Sequence, residues 1–456
     1  MAILGRVIVR SAVRAAAIYY RAERAGRELP PGPVVIVTNH PNMLMDPLLA
    51  MWAAARRVRV LAKAPLFDIP VFGRILRSVD TLPLYRVQDD PDQLPRNRLA
   101  FQEACDTLSA GGTLLTFPEG KSHTSPRLAA LKTGAARIAL AGEEVAGWGL
   151  GVQIVPIGLA YERKQRFRSE VVATLGKAIV VADWRIEYES GPASAIRSLT
   201  KAIALELEAA TLNFVSNEDR ELSETADLVS ARRGARDNWR TREPFVSRLP
   251  RLRRLAELFG WLRTCQPDRH ALLARRLRSY RQRLVHLGAR TGDVPPERET
   301  GGALRALVGG AAVLGLAVPI AALGAIAWFL PVGFARVVRC ALRPPVETVA
   351  TVEYLAGFVA VPVTYVAWVA GIAKLWGAPG ALVVALALPA AGFATLSWWR
   401  RARELWENLG VYARTLGRPR LRRRLEVRRS KMVAELGRLA TEWQAAAEHR
   451  VERPVA

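Results

Sequence analysis

The residues best suited to chemistry lie in three short motifs between positions 39 and 120. The motifs are NHPNMLMDP at 39–47, LPLYR at 82–86 and FPEG at 117–120. They combine an imidazole, two carboxylates and a guanidinium, which are groups that accept a proton, orient a base and bind a phosphate. This combination predicts a reaction at the hydroxyl group of a phosphorylated substrate.

His40 is the candidate general base. Residues 33–38 are a short, mostly β-branched apolar run that predicts a buried strand, so His40 follows the carboxyl end of a strand, where open α/β sheets bind ligands. An imidazole there can take a proton from a substrate hydroxyl if a carboxylate, here Asp46, holds its other nitrogen. The alternative is structural: Asp46 followed by Pro47 is also an ordinary helix N-cap, and His40 is then a solvated loop residue.

The second and third motifs offer a phosphate site. Arg86 ends the strand-like run 81–85, so its guanidinium can make paired bonds to a phosphate at the same sheet edge. Glu119 and Gly120 follow the strand-like run 113–116. The glycine permits close approach of a ligand to the backbone, and the carboxylate can bind a substrate hydroxyl or order Arg86. The alternative is that these two residues only form a turn.

With these residues, the sequence resembles the glycerolipid acyltransferases, which move a fatty acyl group from a thioester carrier to a hydroxyl of glycerol 3-phosphate or 1-acylglycerol 3-phosphate. Five residues separate His40 from Asp46, whereas four are usual in that family. The longer spacing resembles the branch that acylates glycerol 3-phosphate or dihydroxyacetone phosphate. The third motif continues as GKSH at 120–123, so Lys121 or His123 is expected to replace the arginine that the family usually has at the phosphate.

The resemblance implies a set of site residues and substrates. The catalytic residues would be His40 and Asp46, and the substrate-binding residues Asn39, Asn42, Arg86, Glu119, Gly120, Lys121, His123 and Pro156, the last within VPIG at 155–158, which matches a fourth family motif. Acyl-CoA or acyl carrier protein would be the donor, and the acceptor would be glycerol 3-phosphate, dihydroxyacetone phosphate or lysophosphatidate, in phospholipid biosynthesis. No metal or redox cofactor is implied. The alternative is a catalytically silent, membrane-associated lipid-binding or interaction protein on the same scaffold.

Residues 31–215 are predicted to form the catalytic domain. Strand-like runs alternate with helical patterns there, which favours an α/β fold with a mixed, largely parallel sheet flanked by helices. Further strands are predicted at 58–62, 153–159, 171–175 and 178–182, and helices at 47–55, 67–76, 95–110 and 127–141. A basic helical region at 216–304 is predicted to follow, with its polar stretch 216–237 acting as a linker.

Residues 1–30 are predicted to form an amphipathic helix at a membrane surface. Arg6, Arg10 and Arg14 recur every fourth residue, and apolar side chains lie mostly elsewhere around the helix. These arginines, and the lack of a cleavage-like site after them, argue against a secretory signal peptide. The alternative is an ordinary helix packed on the catalytic domain.

Composition points to an anionic partner, since the net charge is +25 and the pI about 11. Arginine clusters occur at 248–254, 275–283 and 418–431. The sequence has neither zinc-finger cysteine spacing nor an aromatic-glycine RNA-binding signature, so anionic membrane lipids are the expected partner and nucleic acid is not. The three dispersed cysteines indicate a reducing compartment without disulfide bonds.

Membrane helices are predicted within residues 305–399. The runs 306–335, 354–373 and 375–399 contain no Asp, Glu, Lys or Arg. The first run is broken by glycines and prolines, which favours a re-entrant hairpin, and a tight turn at 374–380 would join the other two. Two hairpins would leave every arginine cluster, and the basic helical tail at 400–456, on the cytoplasmic side. The expected location is the cytoplasmic membrane, with the catalytic domain facing the cytoplasm.

Overall fold

An eight-stranded mixed sheet forms the centre of the first of two structural units. The computed structural model describes residues 2–85, 91–231, 243–287, 300–415 and 418–451. The first unit, the sheet unit, comprises Met1–Asn213 and Val337–Phe358; the second, the helical unit, comprises Phe214–Arg336 and Val359–Ala456. The predicted α/β fold followed by a helical region is therefore confirmed.

The strands are β1 Arg21–Gly26, β2 Val34–Thr38, β3 Arg59–Lys63, β4 Leu82–Leu84, β5 Thr113–Thr116, β6 Gln153–Tyr161, β7 Glu170–Leu175 and β8 Ile179–Val180. Their order in the sheet is β1-β7-β6-β2-β5-β3-β4, and β8 pairs with β6. All neighbouring pairs are parallel except those of β6 with β7 and β8. The carboxyl ends of β2 to β6 therefore share one edge of the sheet.

Helices cover both faces of this sheet, which explains why its central strands are apolar throughout. The helices of the sheet unit are α1 Ala2–Tyr19, α2 Met45–Ala54, α3 Phe72–Ser78, α4 Asn97–Ser109, α5 Gly134–Val145, α6 Arg185–Ser190 and α7 Pro192–Ala210, with 3-10 turns at Ala64–Phe67, Pro91–Arg96 and Val181–Trp184. Val34 and Ile36 of β2 pack with α1 and α2, whereas Val35 and Val37 pack with α4, α5 and α7. Burial on both faces is typical of parallel sheets.

Strand β1 was not predicted. Its sequence, RAERAG, has no large apolar residue, because β1 is an edge strand held by backbone pairing with β7 and by a salt bridge between Arg21 and Glu170. The sheet therefore begins ahead of residue 31, the predicted start of the catalytic domain.

Helix α1 packs on the sheet unit along one side. Ala16 and Tyr19 belong to the same buried core as α2, while Arg6, Arg10 and Arg14 are exposed. The outer side also carries apolar side chains: Ile3 is 77%, Leu4 65% and Val7 53% exposed. The buried side of α1 agrees with the alternative of a helix packed on the catalytic domain. The exposed side carries arginines and apolar residues, as a membrane-surface helix would, and contact with a membrane stays a prediction.

The helical unit contains a bundle of α8 Asn217–Ser230, α9 Phe245–Cys265, α10 Pro267–His286 and α15 Pro419–Val451. Its core includes Phe259, Leu277 and Leu436. The predicted linker at 216–237 is wrong where the structure describes it. Ser216 caps α8 by accepting a hydrogen bond from the Asp219 N–H at 3.1 Å, and this helix buries Leu222 in the bundle.

The apolar part of the chain forms α11 Thr300–Leu316, α12 Val318–Ala327, α13 Phe329–Leu342 and α14 Val349–Thr415. Val349–Glu407 is long and apolar enough to cross a membrane, and Val308–Leu316 with Val318–Ala327, bent by 53°, forms a second candidate. Gly377, at φ 70° and ψ −169°, divides α14 into two arms. The Tyr365 hydroxyl donates to the Ala385 carbonyl at 3.1 Å, so the arms fold back on each other.

Two aromatic side chains of the first arm bond to carbonyls that prolines leave without a helical donor. Pro331 cannot donate to the Ala327 carbonyl four residues before it, and Pro389 cannot donate to Ala385. The Trp368 indole N–H donates to the Ala327 carbonyl at 3.1 Å, and Tyr365 donates to Ala385. Side chains thus replace the missing backbone donors.

Candidate active site

The parallel strands bring the first and third motifs to one edge of the sheet. Val37 of β2 lies beside Thr116 of β5, and Thr38 lies beside Ile157 of β6. The chain continues from β2 directly to His40, from β5 to Glu119 and along β6 to Tyr161. The strand register alone therefore gathers these three side chains.

His40 and Asp46 form a hydrogen-bonded pair. The His40 Nδ1 lies 2.8 Å from the Asp46 Oδ2, and the two side chains are 19% and 0% exposed. The five-residue spacing is accommodated by Met43, which adopts a left-handed backbone with φ 45°. Helix α2 begins at Met45 with Leu44 at the N-cap position, so Asp46 is not the N-cap that the structural alternative required.

Two more groups bind the Asp46 carboxylate. The Asn42 backbone N–H donates to Oδ2 at 2.6 Å, and the Tyr161 hydroxyl donates to Oδ1 at 2.6 Å. Burial, with the nearby charge of Asp46, raises the pKa of Tyr161 well above its ordinary value, so the phenol remains a donor at neutral pH. Asp46 is therefore held by three donors, and its own side chain is fully buried.

Tyr20 and Lys164 hold in place the loop that joins His40 to Asp46. The Asn42 amide donates to the Tyr20 hydroxyl at 2.7 Å, and that hydroxyl donates to the Lys164 carbonyl. The Lys164 ammonium donates to the Pro41 carbonyl at 2.9 Å. Asn42 is only 1% exposed and its amide positions the loop, while its contact with a substrate stays a prediction. Sequence reasoning missed Tyr20, Tyr161 and Lys164.

Glu119 joins the third motif to the first. Its Oε1 accepts the His40 backbone N–H at 2.9 Å, and its Oε2 accepts the Ala129 N–H at 2.8 Å and contacts His123 Nε2. The His123 N–H in turn donates to the His40 carbonyl at 3.1 Å. Glu119 is 4% exposed. Its carboxylate thus fixes the loop beside His40, and direct contact with a substrate hydroxyl stays a prediction.

Gly120 and the lysines lie along the same loop. Gly120 has φ 73°, which favours glycine, and a Cβ there would lie 3.6 Å from the Lys132 Cγ, so this lysine passes close to the motif. Lys121 is exposed. The predicted phosphate contacts of Lys121 and His123 are not tested by this geometry.

Asn39 and Pro156 hold strands in place. The Asn39 amide accepts the Leu159 N–H at 2.8 Å and donates to the Leu159 carbonyl at 3.0 Å, which ties the end of β2 to β6. Pro156 is buried within β6, and the Gly176 N–H donates to its carbonyl at 2.9 Å. The substrate contact of Pro156 stays a prediction. The substrate contact of Asn39 stays a prediction, and Arg86 lies outside the described residues.

The geometry suits proton abstraction by His40. The bond to Asp46 places a proton on Nδ1 and leaves the lone pair on Nε2. Phe117 stacks on the imidazole with ring centroids 4.1 Å apart, which fixes the ring plane. Among the described residues, neither a partner for Nε2 nor a cluster of three or more metal-ligating side chains is found. The site is a base, its orienting carboxylate and an ordered loop.

Comparison with known proteins identifies the region around this site. Residues 21–160 match the sequence model of the Acyltransferase family. The chain thus contains a domain similar to the acyltransferases. The matched residues include β1 and end at the penultimate residue of β6, so all three motifs of the acyltransferase domain lie inside the match.

Curated relatives resemble the acyltransferase domain and its flanks. The chain is 30% identical over 199 residues to glycerol-3-phosphate O-acyltransferase 2 of Saccharomyces cerevisiae, covering 43% of this chain and 26% of that protein. It is 31% identical over 144 residues to a 1-acyl-sn-glycerol-3-phosphate acyltransferase of Chlamydomonas reinhardtii, covering 31% and 39%. The chain thus spans well under half the length of these relatives.

A solved structure gives a weaker match. The 1-acyl-sn-glycerophosphate acyltransferase PlsC from Thermotoga maritima aligns with a TM-score of 0.33 and 20% identity, over 45% of this chain and 80% of PlsC.

Proposed function

We propose that this chain transfers a fatty acyl group from acyl-CoA or acyl carrier protein to a hydroxyl of a phosphorylated glycerol acceptor in phospholipid biosynthesis. The acceptor is glycerol 3-phosphate, dihydroxyacetone phosphate or lysophosphatidate, and the His40 to Asp46 spacing favours the first two. The observation that carries the proposal is the His40–Asp46 pair, 2.8 Å apart at the carboxyl edge of the sheet and linked to Glu119.

The proposed reaction needs no protein nucleophile. His40 Nε2 takes the proton of the acceptor hydroxyl as the oxygen attacks the thioester carbonyl, while Asp46 stabilises the resulting imidazolium. The carbon–sulfur bond then breaks, and the thiolate of the carrier receives the proton from His40. An acyl ester and a free thiol result, and the enzyme returns to its starting protonation state.

The acceptor phosphate is proposed to lie against Arg86, with Lys121 or His123 of the third motif as further cationic or hydrogen-bonding groups. His123 is held near His40 by its contact with Glu119, which supports this assignment. A phosphate bound beside His123 would bring the acceptor hydroxyl close to His40.

An acyl-transfer assay tests the function directly. The purified full chain in lipid vesicles would receive acyl-CoA or acyl carrier protein with each acceptor, and thiol release and lipid product would be measured together. We expect ester formation with at least one phosphorylated acceptor and none with glycerol. Failure with every donor and acceptor would support the silent lipid-binding alternative.

Arg86→Lys is expected to weaken acceptor binding selectively, because lysine keeps the positive charge but loses the planar pair of donors. We expect the KM for the phosphorylated acceptor to rise about 10-fold and the KM for the donor to change less than about 2-fold. Arg98→Lys, on the exposed surface of α4, is the matched control. A defect confined to the donor would assign Arg86 to the other substrate.

We further propose that the chain lies in the cytoplasmic membrane, with the acyltransferase domain facing the cytoplasm and anionic lipids as partners. The apolar arms of α14 support insertion, and the exposed arginines and apolar residues of α1 support contact with the lipid surface. Acyl carriers and glycerol phosphates are water-soluble cytosolic molecules, so His40 would meet them at that surface.

The turn at 374–380 is expected to face away from the cytoplasm and both chain ends to face it, because arginine clusters near membrane segments are retained inside. Single cysteines replacing Ala2, Ala378 or Ala456, with the native cysteines removed, would be treated with an impermeant thiol reagent in intact cells. We expect labelling at position 378 alone and at all three positions after permeabilisation. Labelling at position 456 in intact cells would contradict the two-hairpin topology.

A further inference from the structure

Tyr161 lies at the last position of β6 and is half-buried beside the His40–Asp46 pair. Its hydroxyl is 2.6 Å from the Asp46 Oδ1, the oxygen that does not contact His40. Its ring meets the Tyr20 ring edge to face, with centroids 5.2 Å apart, which fixes the direction of the hydroxyl. Tyr161 therefore binds one oxygen of the Asp46 carboxylate while His40 binds the other.

We propose that Tyr161 is a positioning residue that sets how strongly Asp46 supports His40 during acyl transfer, an inference that rests on the proposed function. A donor to Oδ1 draws negative charge away from Oδ2 and so weakens the pull of the carboxylate on an imidazolium. It also prevents Asp46 from rotating out of the plane of the imidazole, because each oxygen is bonded to a different element of the fold.

The surroundings make the effect of this one hydroxyl large. Asp46 is completely buried, so water cannot replace a lost donor. The titratable groups around the pair are Tyr20, Tyr161, Glu119, His123 and Lys164, and of these only Tyr161 is hydrogen-bonded to the Asp46 carboxylate among the described residues. Tyr20 and Lys164 act on the loop, and Glu119 and His123 act on the His40 backbone.

Tyr161→Phe removes the hydroxyl and keeps the ring. We expect kcat to fall about 10-fold, because the Asp46 carboxylate can then rotate out of the plane of the imidazole and misplace the base, with the acceptor KM changed less than about 2-fold. The carboxylate would then stabilise the imidazolium more strongly, so the acid limb of the kcat/KM profile should move to higher pH by roughly half a unit or more. Tyr188→Phe is the matched control, since its hydroxyl bonds the exposed Glu144 carboxylate at 2.9 Å.

Incorporation of 3-fluorotyrosine at position 161 tests the same bond without removing it. The fluorinated phenol is a stronger donor of nearly the same shape, so the acid limb should move to lower pH, opposite to the phenylalanine variant. A purely structural role would give no such opposite shifts. This variant also covers the case in which the phenylalanine protein does not fold, as judged by circular dichroism and thermal melting.

The outcomes separate this inference from the proposed function. Wild-type protein without acyl transfer would overturn the proposed function. Active wild type with a folded Tyr161→Phe variant of unchanged kcat and unchanged pH profile would overturn only the role of Tyr161. Shifts of the acid limb in the same direction for both variants would also overturn it.

Discussion

Replacing His40 with alanine is expected to lower acyl transfer by about 10²–10⁴-fold, because the substitution removes the base that accepts the hydroxyl proton. Thiol release and ester formation should fall together in the assay described above. The KM for either substrate should change little, since His40 Nε2 is proposed to act on the hydroxyl during the chemical step rather than to anchor the substrate.

His286→Ala is the matched control for this experiment. His286 is exposed on α10. Among the described contacts, its side chain is hydrogen-bonded only to the backbone carbonyl of Gln282, at 2.7 Å. The control should retain wild-type activity, and both variants should keep the wild-type circular dichroism spectrum and vesicle association. A His40→Ala protein with activity within a few-fold of wild type would remove His40 from the mechanism.

Replacing Glu119 with glutamine is expected to reduce kcat/KM by about 10²-fold or more. Both carboxylate oxygens accept protein hydrogen bonds, from His40, His123 and Ala129, and an amide keeps only one accepting oxygen. Its NH₂ group would face a donor, so the loop beside the base should shift, and a displacement of about 1 Å at a reacting group costs on this order.

Glu144→Gln provides the comparison for the Glu119 variant. Glu144 is an exposed carboxylate of the same unit, and among the described side chains it accepts a hydrogen bond only from Tyr188. It should show wild-type kinetics. If Glu119→Gln were folded and equally active, the carboxylate would not organise the site, and the loop from Phe117 to Lys132 would have to be held by its other contacts.

Local sequence patterns predicted the central part of the fold well. The apolar runs before His40 and before Phe117 are buried β2 and β5, because a strand covered on both faces must be apolar along its whole length. Strand β1 was not predicted, because an edge strand can be polar. The segment 217–230 was interpreted as a linker rather than a helix, because a helix can bury one narrow side and remain hydrophilic overall.

The motifs predicted the His40–Asp46 pair but not the groups behind it. His40 and Asp46 are six positions apart, so a turn suffices to join them. Tyr161 reaches Asp46 from 115 positions away, through the pairing of β6 with β2, and its residue type alone carries no signal of that contact. A polar aromatic residue at the carboxyl end of a central strand was the only clue.

Replacing Trp368 or Tyr365 is expected to lower the stability of the apolar arms, because Pro331 and Pro389 leave the bonded carbonyls without a backbone donor. If these arms lie in a membrane, as proposed, no water can take the place of Trp368 or Tyr365, and an unpaired carbonyl there costs several kcal/mol. Sliding the first arm by one helical turn would break both bonds at once, so they fix the arm in a single register. Each proline and its aromatic donor therefore form an interdependent pair: restoring a backbone N–H at position 331 or 389 would make the corresponding side chain dispensable.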